Sequence, residues 1–325
     1  MLSHDVTQKT LPASERGPKL RVLVTGASGF MGSALTRRLS AAGHEVTAAV
    51  RAGRSMERYR QVLPGVRIVE FAGETGLVRA LRDAEPEYVV HFDATMTTDR
   101  TLLALEETLR GNVLPTIALM TECLERGVKR LVLLGSGEEY GRGTPPFNDA
   151  TVLNPPSPYG ASKAATTSYA RMFHNAFHLP VTVVRPSVIY GPEQSPRMLI
   201  SQVMRALREG QPISVTAGEQ TRDFVYVDDV VRGIERVLTA EGIDGRAWNL
   251  ASGQVITVRE CLECIERITG IHGLIRYGER PYAEHEIFDY AFEVEASAQQ
   301  FGWRAEVPLD EGLRRTWEYW QQKLP

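Results

Sequence analysis

The sequence predicts an α/β protein, built on a doubly wound parallel sheet with a smaller mixed α/β region on its C-terminal side. From Leu20 onward, short apolar, β-branched runs alternate with amphipathic stretches. Continuous apolar strands between helices are typical of a parallel sheet covered on both faces. The first run, 21–25, leads directly into Gly26, Gly29 and Gly32. Strand, glycine turn and helix in this order are typical of the Rossmann dinucleotide-binding unit.

The individual elements are predicted from periodicity and from the residues that start and stop helices. Strands are expected at 21–25, 45–50, 67–71, 88–92, 131–134 and 181–184, and helices after residue 29, around 77–83, across 102–126 and from 157 to about 174. Ser157 and Pro158 are residue types that favour the start of the last helix. We therefore expect a flexible extension at 1–19, a dinucleotide-binding domain at 20–185 plus about 223–250, and a substrate-binding region at 186–222 and 251–325.

Composition limits the classes of function. Of the 325 residues, 43% are hydrophobic and 24% are charged, and the formal net charge is −3. This is the composition of an ordinary globular protein without the basic surface that binds nucleic acid. No apolar run approaches the ~20 residues of a membrane helix, and residues 1–19 lack the apolar centre of a secretory signal. We expect a cytoplasmic protein with neither a membrane nor a nucleic acid as partner.

No metal site is predicted. Cys261 and Cys264 lie in a helical pattern without a second group of metal ligands nearby, so helix packing explains them better than a redox or zinc site. His91, His174 and His178 also lack the partners that a metal needs. The chain has three cysteines in all, too few for a disulfide framework.

The segment from Tyr159 to Lys163 indicates acid–base chemistry. Residues four apart lie on one face of a helix, so the Lys163 ammonium can lie beneath the Tyr159 phenol. A free tyrosine has a pKa near ~10, and each unit of depression needs roughly 1.4 kcal/mol of preferential phenolate stabilisation. We expect the ammonium and an oxidised nicotinamide to lower this pKa.

The glycine turn predicts where a dinucleotide binds. Glycines let the backbone approach a pyrophosphate, and the amino end of the following helix offers N–H groups and partial positive charge. The residues expected to contact the dinucleotide here are Gly26, Ser28, Gly29, Phe30, Met31 and Gly32.

The end of the second strand bears on which dinucleotide is bound. An acidic residue there would accept the ribose hydroxyls of NAD, but this strand ends in Arg51. Arg51, with Arg54 and Ser55, can bind the 2′-phosphate of NADP through charge-assisted hydrogen bonds. NADP is the predicted cofactor and NAD the alternative, although a solvent-facing arginine would explain the same residue.

Further ordered motifs complete the pattern: TGASGFMG at 25–32, VVHFDA at 89–94, LLGSGEEYG at 133–141, SPYGASK at 157–163, RPSVIYGP at 185–192, RDFVYVDDV at 222–230 and WNLASG at 248–253. With them, the chain resembles the extended short-chain dehydrogenase/reductases, specifically the nucleotide-sugar epimerase/dehydratase/reductase family, from about residue 20 to its end.

The resemblance implies roles for individual residues. Ser136 matches the catalytic serine, Tyr159 the acid–base tyrosine, and Lys163 the lysine that holds the nicotinamide ribose. Supporting roles are implied for Asn112 (water-mediated support of Lys163), Glu138 (the base of dehydratases), Glu70 and Phe71 (near the adenine), Phe92 (near the cofactor ribose), and Arg222 and Arg280 (on the diphosphate of the sugar nucleotide). Tyr190 lies in a motif beside the sugar pocket, where it either contacts substrate or completes the core.

The chain departs from the family at four positions. Val188 stands where many relatives have an asparagine near the diphosphate, Asp93 replaces a small residue near the cofactor, and Pro115 replaces a glycine. Gly137 occupies the position at which one group of 4,6-dehydratases carries an aspartic general acid. The sequence of residues 136–138 is most similar to the Ser-Gly-acid pattern of 4-keto-6-deoxyhexose reductases.

These features predict NADPH-dependent reduction of the 4-keto group of a nucleotide-linked 6-deoxyhexose. Tyr159 would donate the proton and Ser136 would stabilise the charge that develops on the same oxygen. A 4-epimerase or a 4,6-dehydratase with tightly bound NAD would use the same residues. A catalytically silent NADP-binding module is the remaining alternative, against which the presence of Ser136, Tyr159 and Lys163 argues.

A homodimer is also expected from the resemblance, because relatives commonly pair the Asn112 helix and the Tyr159 helix in a four-helix bundle. Residues 101–126 carry leucines beyond one face, which is compatible with burial on both sides.

Overall fold

The computed structural model describes residues 18–53 and 63–322. Seven parallel strands form the central sheet: β1 (Arg21–Thr25), β2 (Glu45–Arg51), β3 (Arg67–Phe71), β4 (Tyr88–His91), β5 (Arg130–Leu134), β6 (Val181–Pro186) and β10 (Ala247–Leu250). Their order across the sheet is β10-β6-β5-β4-β1-β2-β3. This arrangement confirms the predicted doubly wound parallel sheet of the Rossmann type.

Helices cover both faces of this sheet. They are α1 (Phe30–Ala41), α2 (Gly73–Ala84), α3 (Leu102–Thr108), α4 (Leu114–Arg126), α5 (Pro158–Phe177) and α7 (Val227–Thr239). Successive residues of a strand point to opposite faces, so Val22 and Val24 pack in the same cluster as α1 and α7. Leu23 packs in the cluster of α2, α4 and α5 on the other face.

The helix predicted across 102–126 is interrupted. Between α3 and α4 lies one π turn, Leu109–Val113, in which the Leu114 N–H donates to the Leu109 carbonyl. Pro115 follows at once and lacks the N–H that a regular helix would use. A π turn at this point adds a residue to the helix and turns Asn112 into the interior, where it is 1% exposed.

The smaller region contains short strands and four helices. Strands β7 (Val188–Tyr190), β9 (Thr221–Tyr226) and β11 (Val255–Thr257) form one sheet, and β8 (Ile213–Val215) pairs with β12 (Ile275–Tyr277). The helices are α6 (Leu199–Arg208), α8 (Val258–Thr269), α9 (Glu295–Phe301) and α10 (Leu309–Gln322). This is the expected mixed α/β region.

The predicted domain division remains a prediction, and the structure adds one difference in detail. The chain was expected to return to the large domain near residue 223, yet β9 pairs only with β7 and β11 of the smaller region. Within the described residues, the return begins with α7, at Val227, which packs against α1, and it continues with β10 in the central sheet. Residues 1–17 of the predicted extension lie outside the described residues.

No helix of the described part of the chain is long and apolar enough to cross a membrane. The predicted helix that contains Cys261 and Cys264 is present as α8, which starts with a capping box between Thr257 and Glu260. Both thiols are buried and free.

Candidate active site

A cavity of about 530 Å³ opens at the carboxyl ends of the central strands, where doubly wound sheets bind ligands. Its walls include residues that follow β1, β4, β5 and β6, and residues of the loop between β12 and α9. The predicted site residues that line it are Gly26, Gly29, Phe30, Met31, Gly32, Phe92, Ser136, Glu138, Tyr159, Lys163, Val188 and Arg222.

The glycine turn fits a dinucleotide. Gly26 has φ +63°, and a Cβ on Gly32 would lie 2.2 Å from the Gly26 carbonyl oxygen. Larger residues would therefore push α1 away from β1. Helix α1 begins after Gly29 without a side-chain cap, so its first N–H groups are left for a ligand at the cavity wall. Such an uncapped helix start beside glycines suits a pyrophosphate. Ser28 does not line the cavity.

Tyr159 and Lys163 lie in the first turns of α5. Ser157 caps this helix by accepting a hydrogen bond from the Gly160 N–H at 3.0 Å. The Lys163 Nζ lies 5.9 Å from the centre of the Tyr159 ring and donates to the Leu134 carbonyl oxygen at 2.8 Å. The lysine therefore has a fixed position under the cavity wall, one turn from the phenol, as the spacing predicts.

Ser136 follows β5 and is held by the short turn that it starts. Its Oγ accepts from the Glu138 N–H at 3.1 Å, and its own N–H donates to the Glu139 Oε1 at 2.8 Å. This is a capping box. The turn fixes the Ser136 backbone and leaves its hydroxyl at the cavity.

Burial shifts the pKa values of both Tyr159 and Lys163. Burial raises the pKa of Tyr159, as do the negative charges of Glu138 and Glu139, and only a hydrogen bond with Ser136 opposes them. Burial also lowers the pKa of Lys163 to about 8, against the opposing effect of Glu139 and Asp93. In the protein without a dinucleotide, the lost hydration of the phenolate dominates, with the lysine almost 6 Å away. The predicted depression, which includes the charge of an oxidised nicotinamide, stays a prediction.

Asn112 is buried next to the site, and its hydrogen-bond partners among the described residues are Thr95 and Ser162 rather than Lys163, so water-mediated support of Lys163 stays a prediction. Its amide accepts from the Thr95 N–H at 2.6 Å and donates to the Thr95 carbonyl at 3.0 Å and to the Ser162 Oγ at 2.8 Å. Ser162 in turn donates to the Tyr159 carbonyl. These contacts tie the π turn to α5 and to the loop after β4.

Of the two arginines implied for the diphosphate, Arg222 and Arg280, the first lines the cavity and the second does not. Arg222 lines the cavity, where it forms an ion pair with Glu286 and donates to the Ile287 carbonyl at 2.7 Å. Arg280 is exposed and does not line the cavity. Tyr190 is 1% exposed, and its hydroxyl donates to the Leu309 carbonyl at 3.3 Å. Of its two interpretations, the structure therefore favours completion of the core.

The residues implied for the adenosine end also differ in position. Glu70 is exposed and Phe71 is buried in the core between β2 and α2, and neither lines the cavity. Arg51 forms an ion pair with Asp93, with its Nε 2.9 Å from Oδ1 and 3.0 Å from Oδ2. The predicted partners Arg54 and Ser55 lie outside the described residues.

Tyr290 is a cavity residue that the sequence did not single out. Its ring packs with Tyr140, Phe147 and Phe292 in an aromatic cluster. A Cβ on Gly137 would lie 2.2 Å from the Tyr290 Oη. Position 137 therefore has no room for a side chain while Tyr290 holds this place.

A buried ion pair lies beneath Ser136 and was also missed. Glu139 and Arg185 have no exposed side-chain surface, and the Arg185 Nη2 lies 2.8 Å from the Glu139 Oε2. The Thr167 hydroxyl donates to the same carboxylate oxygen at 2.8 Å. Since Glu139 also accepts the Ser136 N–H, the ion pair positions the start of the turn that carries Ser136. The sequence signal for this ion pair is that both residues lie in the ordered motifs, Glu139 in 133–141 and Arg185 in 185–192.

His91 is held by hydroxyl groups from β1 and α4. His91 is buried between the hydroxyls of Thr25 and Thr116, at 2.7 and 3.1 Å. Burial lowers its pKa to about 3, with smaller contributions from Lys163 and Arg51. Within residues 18–53 and 63–322, no three His, Cys, Asp or Glu side chains are grouped to hold a metal ion.

Comparison with known proteins defines the class. The model of the NAD dependent epimerase/dehydratase family matches residues 22–251. The chain is 29% identical to a UDP-glucose 4-epimerase of Mycolicibacterium smegmatis, covering 94% of this chain and 99% of that protein. It is 31% identical to a dTDP-glucose 4,6-dehydratase of Streptomyces griseus, covering 94% and 97%.

Solved structures give the same class. A dTDP-glucose 4,6-dehydratase from Streptomyces venezuelae, solved with NAD and TYD, superposes with a TM-score of 0.84 at 28% identity, over 93% of this chain and 97% of that one. The Thermotoga maritima UDP-glucose 4-epimerase with UDP-glucose gives 0.82 at 26%, over 93% and 98%. Fold and site thus define an NAD(P)-dependent enzyme of the extended short-chain dehydrogenase/reductase type. The chain belongs to the NAD dependent epimerase/dehydratase family, whose members act on nucleotide sugars.

Proposed function

We propose that this protein is a nucleotide-sugar 4-epimerase that works with a retained NAD. The observation that carries the proposal is that Ser136, Tyr159 and Lys163 share one cavity with the glycine turn and with Arg222. A sugar whose diphosphate lies at Arg222 would have its ring near Tyr159. The 4-epimerase and the NAD-containing structures among the relatives support this choice.

The chain's own groups would handle the proton at the sugar's C4 oxygen. A bound NAD would supply reversible oxidation at C4. Tyr159 would take the C4 hydroxyl proton on its Oη and give it back, while the Ser136 hydroxyl would hydrogen-bond the same oxygen. Lys163, held by the Leu134 carbonyl, would bind ribose hydroxyls and supply the positive charge that the buried phenolate requires.

A 4,6-dehydratase that relies on an acid at position 137 is less well supported. Tyr290 fills the space of a side chain there, so no such acid can be placed without moving the aromatic cluster. Glu138 is present in the cavity, but its Oε1 accepts the Ser157 hydroxyl of the α5 cap. This bond directs the carboxylate towards the helix start.

The 4-keto reductase predicted from the sequence remains a prediction. The sequence of residues 136–138 still favours it. The argument for NADPH has weakened, because it depended on Arg51 being available for a 2′-phosphate, and this arginine is engaged by Asp93.

Cofactor content and product analysis test the proposal. The protein is denatured after gel filtration and the released dinucleotide is identified by chromatography. UDP- and dTDP-hexoses are then incubated with the enzyme without added dinucleotide. We expect near-stoichiometric NAD and C4 epimers. A 4-keto-6-deoxy product would indicate a dehydratase instead. An empty protein that converts 4-keto-6-deoxy sugar nucleotides only with added NADPH would restore the reductase.

We also propose a homodimer through α3 and α5. These helices contact each other and carry exposed apolar side chains: Leu102 is 86% exposed, Leu105 52% and Met172 38%. Large apolar side chains left exposed on these helices favour an interface, and a second copy would cover them with the same helices.

Light scattering coupled to gel filtration checks the dimer. We expect the wild type to elute as a dimer and the variant Leu105→Glu with Met172→Glu as a monomer, because each charge would be buried in the interface. Val255→Glu is the control, since Val255 is 41% exposed on β11 of the smaller region. A monomeric wild type at micromolar concentration would contradict the proposal.

A cytoplasmic location also remains a proposal. Cys123, Cys261 and Cys264 are buried free thiols, which a reducing compartment preserves.

A further inference from the structure

Two strands of the central sheet bring opposite charges together at the glycine turn. In the order β4-β1-β2, the ends of β4 and β2 lie on either side of the end of β1. Arg51 ends β2, and Asp93 follows β4 by two residues. Their side chains meet across the end of β1, with the Arg51 Nε within 3.0 Å of both carboxylate oxygens.

We propose that Asp93 selects NAD over NADP by supplying, from β4, the ribose-recognising carboxylate that β2 lacks, and by holding the Arg51 guanidinium away from a 2′-phosphate. This depends on the proposed function only in that the cavity holds a nicotinamide dinucleotide. In doubly wound folds an acid at the end of the second strand performs this recognition. Here the carboxylate reaches the same place from the strand on the other side of β1.

The backbone fixes Asp93 close to the turn. A Cβ on Gly26 would lie 2.7 Å from the Asp93 nitrogen, and the Asp93 N–H points to the Thr25 Oγ1 at 3.4 Å. Asp93 therefore cannot retreat without disturbing the turn. The charge of Asp93 also acts on the cavity. It raises the pKa of Lys163, although burial lowers this pKa by more.

Electrostatics then disfavours a third phosphate. The Asp93 side chain is only 11% exposed, whereas that of Arg51 is 43% exposed, so solvent screens the carboxylate less than the guanidinium. A 2′-phosphate would lie near Arg51, whose charge Asp93 already balances, and near the negative charge of Asp93 itself. Moving Arg51 to the phosphate would break its ion pair with a mostly buried carboxylate. Ribose hydroxyls, in contrast, can donate to a carboxylate that already accepts from Arg51.

Dinucleotide affinities test the proposal without any sugar substrate. Dissociation constants for NAD and NADP are measured by calorimetry on protein freed of dinucleotide, and the dinucleotide that copurifies is identified. We expect the wild type to prefer NAD, and Asp93→Asn to shift the NAD-to-NADP preference towards NADP by about tenfold or more. Asp99→Asn, an exposed residue of the same loop, should leave the preference unchanged. Asp93→Ala is the second variant if the amide disturbs folding.

A substitution at Arg51 provides the second part of the test. In the Asp93→Asn background, Arg51→Met should remove most of the gained NADP affinity, because the freed guanidinium is its source. A wild type that prefers NADP, or a preference within about twofold of wild type in both Asp93 variants, would overturn the proposal. So would an NADP gain that survives Arg51→Met. A protein with the expected NAD selectivity that does not epimerise sugars would instead overturn the proposed function alone.

Discussion

Replacement of Tyr159 by phenylalanine is expected to lower kcat by about 10²–10⁴-fold while NAD binding stays within about threefold of wild type. The phenyl ring fills the same space beside Ser136, so the cavity wall is kept. What is lost is the Oη that holds the C4 proton. Steady-state turnover of a sugar nucleotide, together with NAD content, measures the two effects separately.

Tyr169 offers a matched control on the same helix. It is 41% exposed, and Tyr169→Phe should leave both turnover and NAD content unchanged. A Tyr159→Phe protein with more than a tenth of wild-type turnover would show that the phenol is not the acid–base group. It would also reopen the interpretation as a silent dinucleotide-binding module.

Replacement of Arg185 by methionine is expected to lower the free energy of unfolding by about 3–5 kcal/mol. The substitution leaves the Glu139 carboxylate buried without its charged partner. Glu139 would retain the Ser136 N–H and the Thr167 hydroxyl, which are too few to replace the hydration it has lost. Urea unfolding followed by circular dichroism measures the change.

Two further variants separate this pair from ion pairs in general. Arg304→Met breaks an exposed pair with Glu295, in which the side chains are 59% and 57% exposed, and should leave the free energy of unfolding close to that of the wild type. Arg185→Met combined with Glu139→Leu should recover part of the loss, since no unpaired charge remains. A loss below about 1 kcal/mol for Arg185→Met alone would contradict the assignment.

The sequence was sufficient where its signals are local. The glycine turn, the start of α5 at Ser157 and the one-turn spacing of Tyr159 and Lys163 all depend on residues within a few positions of one another. The doubly wound sheet follows from the alternation of apolar runs and helices, because right-handed crossovers leave few arrangements.

The remaining features depend on contacts between distant residues. Arg51 considered alone resembles a phosphate ligand, and only the strand order reveals that Asp93, 42 positions away, takes up its charge. Burial is equally invisible in a sequence, and so is the rise that it causes in the pKa of Tyr159 in the protein without a dinucleotide. Tyr290 could not be connected with Gly137, because an irregular segment far along the chain carries it back to the site.

The position of β10 has a consequence for synthesis on the ribosome. This strand is made more than sixty residues after β6, beside which it pairs, and it carries Asn249, whose amide oxygen accepts from the Tyr140 hydroxyl at 2.7 Å. Tyr140 is in turn a partner of Arg185. A nascent chain that has emerged only as far as β6 therefore presents an unpaired strand edge, a form prone to aggregation. The polar support beneath Ser136 is completed only when that late strand arrives.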